Sequence, residues 1–256
     1  MMNHPLSFPY FVLAIVVAIS CFIAFFYISY RKSEKLRDIV GFTLHPQEYC
    51  ANDFRVVSII KSFLWFFIIH MSFSVVYHFA DLIFYSKGVE TNIGDAIQTL
   101  PLWVVLILPP ILEETAFRLS LKRKRLYIAL SCTAIMFFVS AVIFSTKVYD
   151  VTWQRLLSCV VVELIAWLWG YKWILKLNFK TWLWALVLFF SILHIINYDL
   201  STMDMGELIR VVMKEAVKIP SALMFCYIRL KHGFTTSITL HFAINLSAFL
   251  LGSLTR

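Results

Sequence analysis

Glu113, Glu114 and Arg118 stand together inside one of the most apolar stretches of this chain, and two further polar pairs, Phe190 with His194 and His241 with Asn245, lie in other apolar stretches. Glu114 and Arg118 are one i,i+4 step apart, with the acid on the favourable amino-terminal side, so they can pair along one helix face. Glu113 then falls on a neighbouring face. A carboxylate whose neighbour is neutralised by arginine is available as a base, and partial burial raises its pKa towards a useful range. His241 and Asn245 repeat the same spacing and present an imidazole and a carboxamide to one groove. Placing charge away from water costs several kcal/mol or more without a partner. Three such clusters therefore predict one shared polar cavity, although a charge network at a helix end and interhelical histidine hydrogen bonds remain the structural alternatives.

The elements that must carry these groups are membrane helices. Hydrophobic residues make up 61% of the chain and charged ones 15%, with a mean hydropathy of +0.80, beyond the range of a soluble domain. The apolar runs continue for roughly 17 to 25 residues, the length of helical spans and not of alternating barrel strands. The expected fold is an all-α, polytopic transmembrane bundle of about eight spans, at residues 8–30, 56–79, 96–118, 126–145, 153–175, 181–198, 208–228 and 234–254. The first run lacks a positive leading flank and a cleavage site, so it is read as a retained span. Counting about 1.5 Å per residue from the basic flanks puts Glu113, His194 and His241 roughly 10 to 20 Å into the bilayer.

Loop charge supports the same count. Basic residues gather at Arg31, Lys32, Lys35 and Arg37, at 122–125, at Lys172, Lys176 and Lys180, and at Arg229 and Lys231, while the loops between carry few. By the positive-inside rule these are cytoplasmic and both termini are not. Anionic lipid is a sufficient partner for the net charge of +8, and nothing points to nucleic acid. Cys21, Cys132, Cys159 and Cys226 lie in spans and Cys50 in a reducing loop, so the thiols are read as small apolar fillers.

The ordered set E-E-x-x-x-R, F-x-x-x-H and H-x-x-x-N on separate spans, with Thr236, Ser237 and Ile238 leading into the last motif, resembles the CPBP (CaaX protease and bacteriocin-processing, or Abi) family of intramembrane endopeptidases. The resemblance covers roughly residues 100–251. It implies that Glu113 and His194 activate the attacking water, that His241 and Asn245 stabilise the oxyanion, and that Glu114, Arg118 and Phe190 support the site. It divides the chain into amino-terminal spans with a basic loop, 1–95, and a protease core, 96–256. Two spans separate Glu113 from His194 where relatives commonly have successive helices, which predicts an inserted hairpin at 126–175, and Leu119 stands where many bacterial members have glycine. The implied substrate is a membrane-associated or lipidated peptide, and the implied location is the bacterial plasma membrane, or the endoplasmic reticulum in a eukaryote.

Whether a metal takes part is open: the resemblance fits a metal-independent glutamate mechanism, the preferred reading, and a metal-dependent one equally well. Glu113, His194 and His241 could hold Zn²⁺ with an open fourth position, although no H-E-x-x-H pair is present. Ser191 and Cys226 lack a base in register for nucleophilic catalysis. Lys214 and Lys218 are candidates for binding a substrate carboxylate, with local pairing to Glu215 as the plainer alternative. His70 and His78 are read as packing residues and Glu163 as a mid-span acid. The competing functional class is a non-catalytic membrane immunity or scaffold protein.

Overall fold

The computed structural model describes residues 8–48, 55–84, 101–200 and 203–254, and those residues are helical with no strand among them. Two compact units divide at Leu44 and His45. The first contains α1 (Phe8–Lys32) and α2 (Glu34–Leu44). Their junction is closed locally. The Ser33 hydroxyl accepts from the Leu36 amide at 3.2 Å as an N-cap, and the Arg37 guanidinium donates to the carbonyls of Arg31 at 2.8 Å and Tyr30 at 3.2 Å at the end of α1.

The second unit holds α3 (Val56–Phe84), α4 (Leu102–Phe117), a 3₁₀ turn at Leu119–Leu121, and α5 (Arg125–Ile143). Next, α6 (Trp153–Ile165) runs through a π turn at Ala166–Gly170 into α7 (Tyr171–Lys176). The chain continues with α8 (Phe179–Leu193), a 3₁₀ turn at His194–Asn197, α9 (Met205–Ala216), α10 (Ile219–His232) and α11 (Phe234–Leu254). Among the described residues, five stretches are long and apolar enough to cross a membrane: Val56–Asp81, Arg125–Ile143, Trp153–Lys176, Phe179–Asn197 and Phe234–Leu251. Their outward faces carry large apolar side chains such as Trp153, Trp169 and Trp173, as lipid-facing helices require.

The single span expected at 208–228 is two helices. Pro220 sits in the first turn of α10, where its missing N–H costs nothing, but its ring is incompatible with continuing α9 through that point. At the other end, α9 starts with a capping box: the Asp204 carboxylate accepts from the Glu207 amide at 2.8 Å, and Glu207 accepts from the Asp204 amide at 3.3 Å. The apolar positions Met205, Ile209, Val212 and Met213 point outward on α9 while Arg210, Val211 and Glu215 are buried. On α10 almost every side chain is buried, because the helix is enclosed by α3, α8 and α11.

The basic residues near 122–125 also close helix ends. Arg123 donates to the carbonyls of Ile174 at 2.5 Å and Leu177 at 2.7 Å, where the α7 backbone runs out of partners. Arg125 donates to the Trp167 carbonyl of the π turn at 2.7 Å and lies 4.3 Å above the Trp167 ring. The hairpin of α5 and α6 packs against α4 through α5, with the Ser131 hydroxyl donating to the Ala116 carbonyl and lying 3.1 Å from the Ser120 hydroxyl.

Ala222 is fully buried in the enclosed helix, whereas Ala243 on α11 is exposed. Ala222→Leu is expected to destabilise the fold by about 1–3 kcal/mol through overpacking. Ala243→Leu should leave the midpoint of thermal unfolding in detergent within error of the parent, and equal midpoints for the two variants would refute the enclosed position of α10.

Candidate active site

Glu114 is fully buried near the end of α4, and every polar neighbour it has comes from a motif residue or the residues around one. Its Oε1 lies 3.8 Å from Arg118 Nε and 3.0 Å from His241 Nδ1, and its Oε2 accepts a short hydrogen bond from the Ser237 hydroxyl. A carboxylate only accepts, so Nδ1 of His241 must carry the proton. The paired acid and base expected from the i,i+4 spacing are therefore in contact, and α11 supplies two more partners to the same carboxylate. Ser237 was visible only as sequence context for the last motif.

Arg118 is also fully buried, and none of its guanidinium nitrogens is hydrogen-bonded to a described oxygen. The positive charge is held by aromatic faces. Its guanidinium carbon is 4.2 Å from the centre of the Phe190 ring, 5.4 Å from Phe225 and 5.7 Å from Phe117. These rings come from α8, α10 and α4. Phe225 also stacks on His241 at 4.5 Å between centroids, so one ring braces both the arginine and the imidazole.

Glu113 occupies the neighbouring face, as the helix geometry predicts, with its side chain 17% exposed and its Oε2 3.7 Å from His241 Nε2. His241 thus lies between two carboxylates, with Nδ1 bonded to the buried one and Nε2 facing the accessible one. While the ring is neutral, Nε2 is a lone pair, and donation from it to an oxyanion requires the imidazolium. His194 lies in the 3₁₀ turn beyond α8, with Nδ1 2.7 Å from the Phe190 carbonyl and its ring 4.6 Å from the Phe190 ring. The carbonyl fixes Nδ1 as the donor and leaves Nε2 as the basic nitrogen. The second motif meets the first through Phe190, whose ring lies against both His194 and the Arg118 guanidinium; among the described residues His194 makes no hydrogen bond to Glu113 or His241.

Asn245 follows His241 by one turn on α11, is half-buried, and makes no hydrogen bond to a described residue. Lys218 pairs with Glu215 at 2.7 Å, and Glu215 also accepts from the Tyr198 hydroxyl at 2.6 Å. Lys214 lies 5.4 Å from the centre of the Tyr198 ring. Both lysines thus belong to a second polar cluster around Glu215 and Tyr198. Ser191 donates to the Glu215 carbonyl at 2.5 Å, a structural use of that hydroxyl. His70 bridges the Val217 carbonyl at 3.1 Å and the Ser221 hydroxyl at 3.0 Å, tying α3 to the break between α9 and α10. Glu163 lines a separate surface cavity of about 300 Å³ with Leu126, Val160, Leu164 and Trp167. Cys21, Cys132, Cys159 and Cys226 are free thiols, and Cys50 lies outside the described residues.

A zinc ion would need Glu113, His194 and His241 to converge on one point. Glu113 and His241 approach each other, but among the described residues no three His, Cys, Asp or Glu side chains are grouped to hold a metal ion. As placed, the donor set does not fit a metal.

The two glutamates predict opposite mutational outcomes. Glu114→Ala leaves a buried guanidinium without its carboxylate and should cost about 3–5 kcal/mol of stability. Glu113→Ala should alter stability by less than about 1 kcal/mol, because its partner distance is long and its side chain is partly exposed. Thermal unfolding of the two purified variants checks both figures. No family model, curated protein or solved structure matches the chain, so the functional reading rests on these residues and their geometry.

Proposed function

We propose that the chain is an intramembrane endopeptidase of the CPBP type, hydrolysing peptide bonds of membrane-associated or lipidated peptides. The observation that carries this reading is the division of labour between adjacent carboxylates: Glu114 is sequestered by Arg118, Ser237 and His241, while Glu113 stays accessible beside His241 Nε2. A structural charge network has no use for the second acid.

In the proposed reaction, water held by Glu113 and the basic Nε2 of His194 attacks the scissile carbonyl. Glu113 takes a proton from the water, the carbonyl electron pair moves to oxygen, and the leaving amine later recovers the proton. Asn245 and the charged form of His241 serve the oxyanion. Arg118 and Glu114 act through His241 by fixing its tautomer and orientation. Lys214 and Lys218 are proposed, more remotely, to receive a substrate carboxylate.

The spans at 8–30 and 96–118, together with α9 and α10 acting as one broken crossing, complete a proposed eight-crossing topology that opens the cavity to the cytoplasm. The proposed location is a bacterial plasma membrane, or the endoplasmic reticulum in a eukaryote. Its proposed partners are peptide substrate and lipid, with no role for nucleic acid.

Detergent-purified protein should cleave members of a quenched fluorescent peptide library that includes farnesylated carboxy-terminal peptides. Glu113→Ala should reduce kcat by at least on the order of 100-fold, and a zinc chelator should leave wild-type turnover unchanged. Equal inertness of folded wild type and variant would sink the enzyme reading in favour of an immunity or scaffold protein, and chelator sensitivity would sink the metal-independent route.

A further inference from the structure

Glu163 stands on a face of α6 that turns towards lipid, and no described residue answers its charge. With Val160, Leu164 and Trp167 at helical spacing, and Leu126 of α5, it lines the surface cavity of about 300 Å³. The four apolar members are all exposed. The Glu163 side chain is half-buried, and its carboxylate makes no hydrogen bond or ion pair with a described residue. A charged acid against lipid is costly unless a partner reaches it.

The rim of the same cavity carries the opposite charge. Arg125 immediately precedes Leu126, and its guanidinium carbon lies 4.3 Å from the centre of the Trp167 ring and 4.9 Å from that of Tyr171. Its Nε donates to the Trp167 carbonyl at 2.7 Å, whereas Nη1 and Nη2 make no hydrogen bond to a described residue. That carbonyl lies in the π turn at Ala166–Gly170, where the backbone departs from regular α-helical bonding. Arg125 is thus anchored by one nitrogen and two rings, with two nitrogens left as donors. Trp167 touches both charges, since its ring carries the arginine and lines the cavity beside the glutamate. The exposed Trp169, Lys172, Trp173 and Lys176 follow directly, an aromatic and basic belt of the kind that sits among lipid headgroups. Glu163 lies one turn, about 6 Å, deeper than Trp167.

We infer that this cavity binds the headgroup of an aminophospholipid, a phosphodiester that carries a primary ammonium. The phosphodiester takes the Nη donors of Arg125, whose planar fork suits paired phosphate oxygens. The ammonium takes the Glu163 carboxylate, and the acyl chains run along Val160 and Leu164. Charge complementarity selects this lipid over others. An anionic headgroup without an amine leaves the glutamate facing like charge, and a quaternary ammonium has no N–H to donate to it. None of these residues belongs to the three polar motifs, so the inference is independent of the peptidase reading.

The test is native mass spectrometry of the detergent-purified full chain titrated with dioleoyl phosphatidylethanolamine, phosphatidylcholine or phosphatidylglycerol, with thermal unfolding of each variant. Wild type should bind the ethanolamine lipid most tightly. Glu163→Gln keeps the side-chain shape, so its unfolding midpoint without lipid should match wild type. Its affinity for the ethanolamine lipid should fall about tenfold, as loss of a hydrogen bond to a charged group does, to the level of the choline lipid. Arg125→Gln should weaken ethanolamine and choline lipids together; if that variant unfolds, the Glu163→Gln comparison decides alone. Soluble glycerophosphoethanolamine should fail to displace the lipid, because it lacks the chains that reach Val160 and Leu164, and equal displacement would overturn a lipid occupant in favour of the free headgroup. Equal wild-type affinities for the three lipids overturn the inference, as does an unchanged affinity of Glu163→Gln for the ethanolamine lipid. A wild-type dimer that Glu163→Gln dissociates also overturns it, by giving the carboxylate to a second copy of the chain.

Discussion

The buried charge of Glu114 is the constraint around which the second unit is arranged. An unpaired carboxylate at zero exposure would be intolerable in a largely apolar protein, so the helices that enclose it must bring compensation with them. Arg118 provides the countercharge from the same helix, while Ser237 and His241 provide donors from α11, fixing the approach of α11 to α4. The guanidinium in turn needs shelter, and the rings of Phe190 and Phe225 bring α8 and α10 into the same assembly. One charge pair thus determines how four helices meet.

This arrangement explains why adjacent glutamates in the motif are not redundant. The stabilising partners available at that depth are spent on one oxygen pair, and an α-helix turns the next residue by about 100 degrees to a different face. Glu113 inherits the position beside His241 without inheriting the partners. The imidazole is accordingly held from both sides, with Nδ1 bonded to the buried acid and Nε2 facing the accessible one.

Local spacing in the sequence carried the pairing of Glu114 with Arg118, the sharing of a face by His241 and Asn245, and the all-helical membrane class, because those depend on helix periodicity and apolar run length alone. The split of 208–228 was also encoded, by Pro220 and by the Asp204 to Glu207 capping pattern, but the apolar content of the stretch reads as one span unless those stop and start signals are given priority. Ser237 was less legible. A serine next to a motif has no distinguishing pattern, and its placement depends on a contact between segments far apart in the chain. Arg155 illustrates the limit most clearly, since a lone arginine at a helix start reads as a surface charge, whereas here it is buried and satisfied by loop carbonyls. The same holds for Arg123 and Arg125, whose loop charge is legible as topology but whose capping of distant helix ends is not.

The brevity of α10 has a consequence for how the protein enters its membrane. Fourteen residues reach only about 21 Å as an α-helix, short of a hydrocarbon core of about 30 Å, and the segment ends in Arg229, Lys231 and His232. Such a helix has little affinity for lipid on its own, and its buried surface is matched to protein on nearly every side. It can occupy the bilayer only as a guest of α3, α8 and α11, two of which precede it in synthesis while the last follows. The helix that contributes Phe225 to the arginine and the imidazole is therefore one whose integration waits on α11, so the polar cavity closes only once that later helix has been delivered.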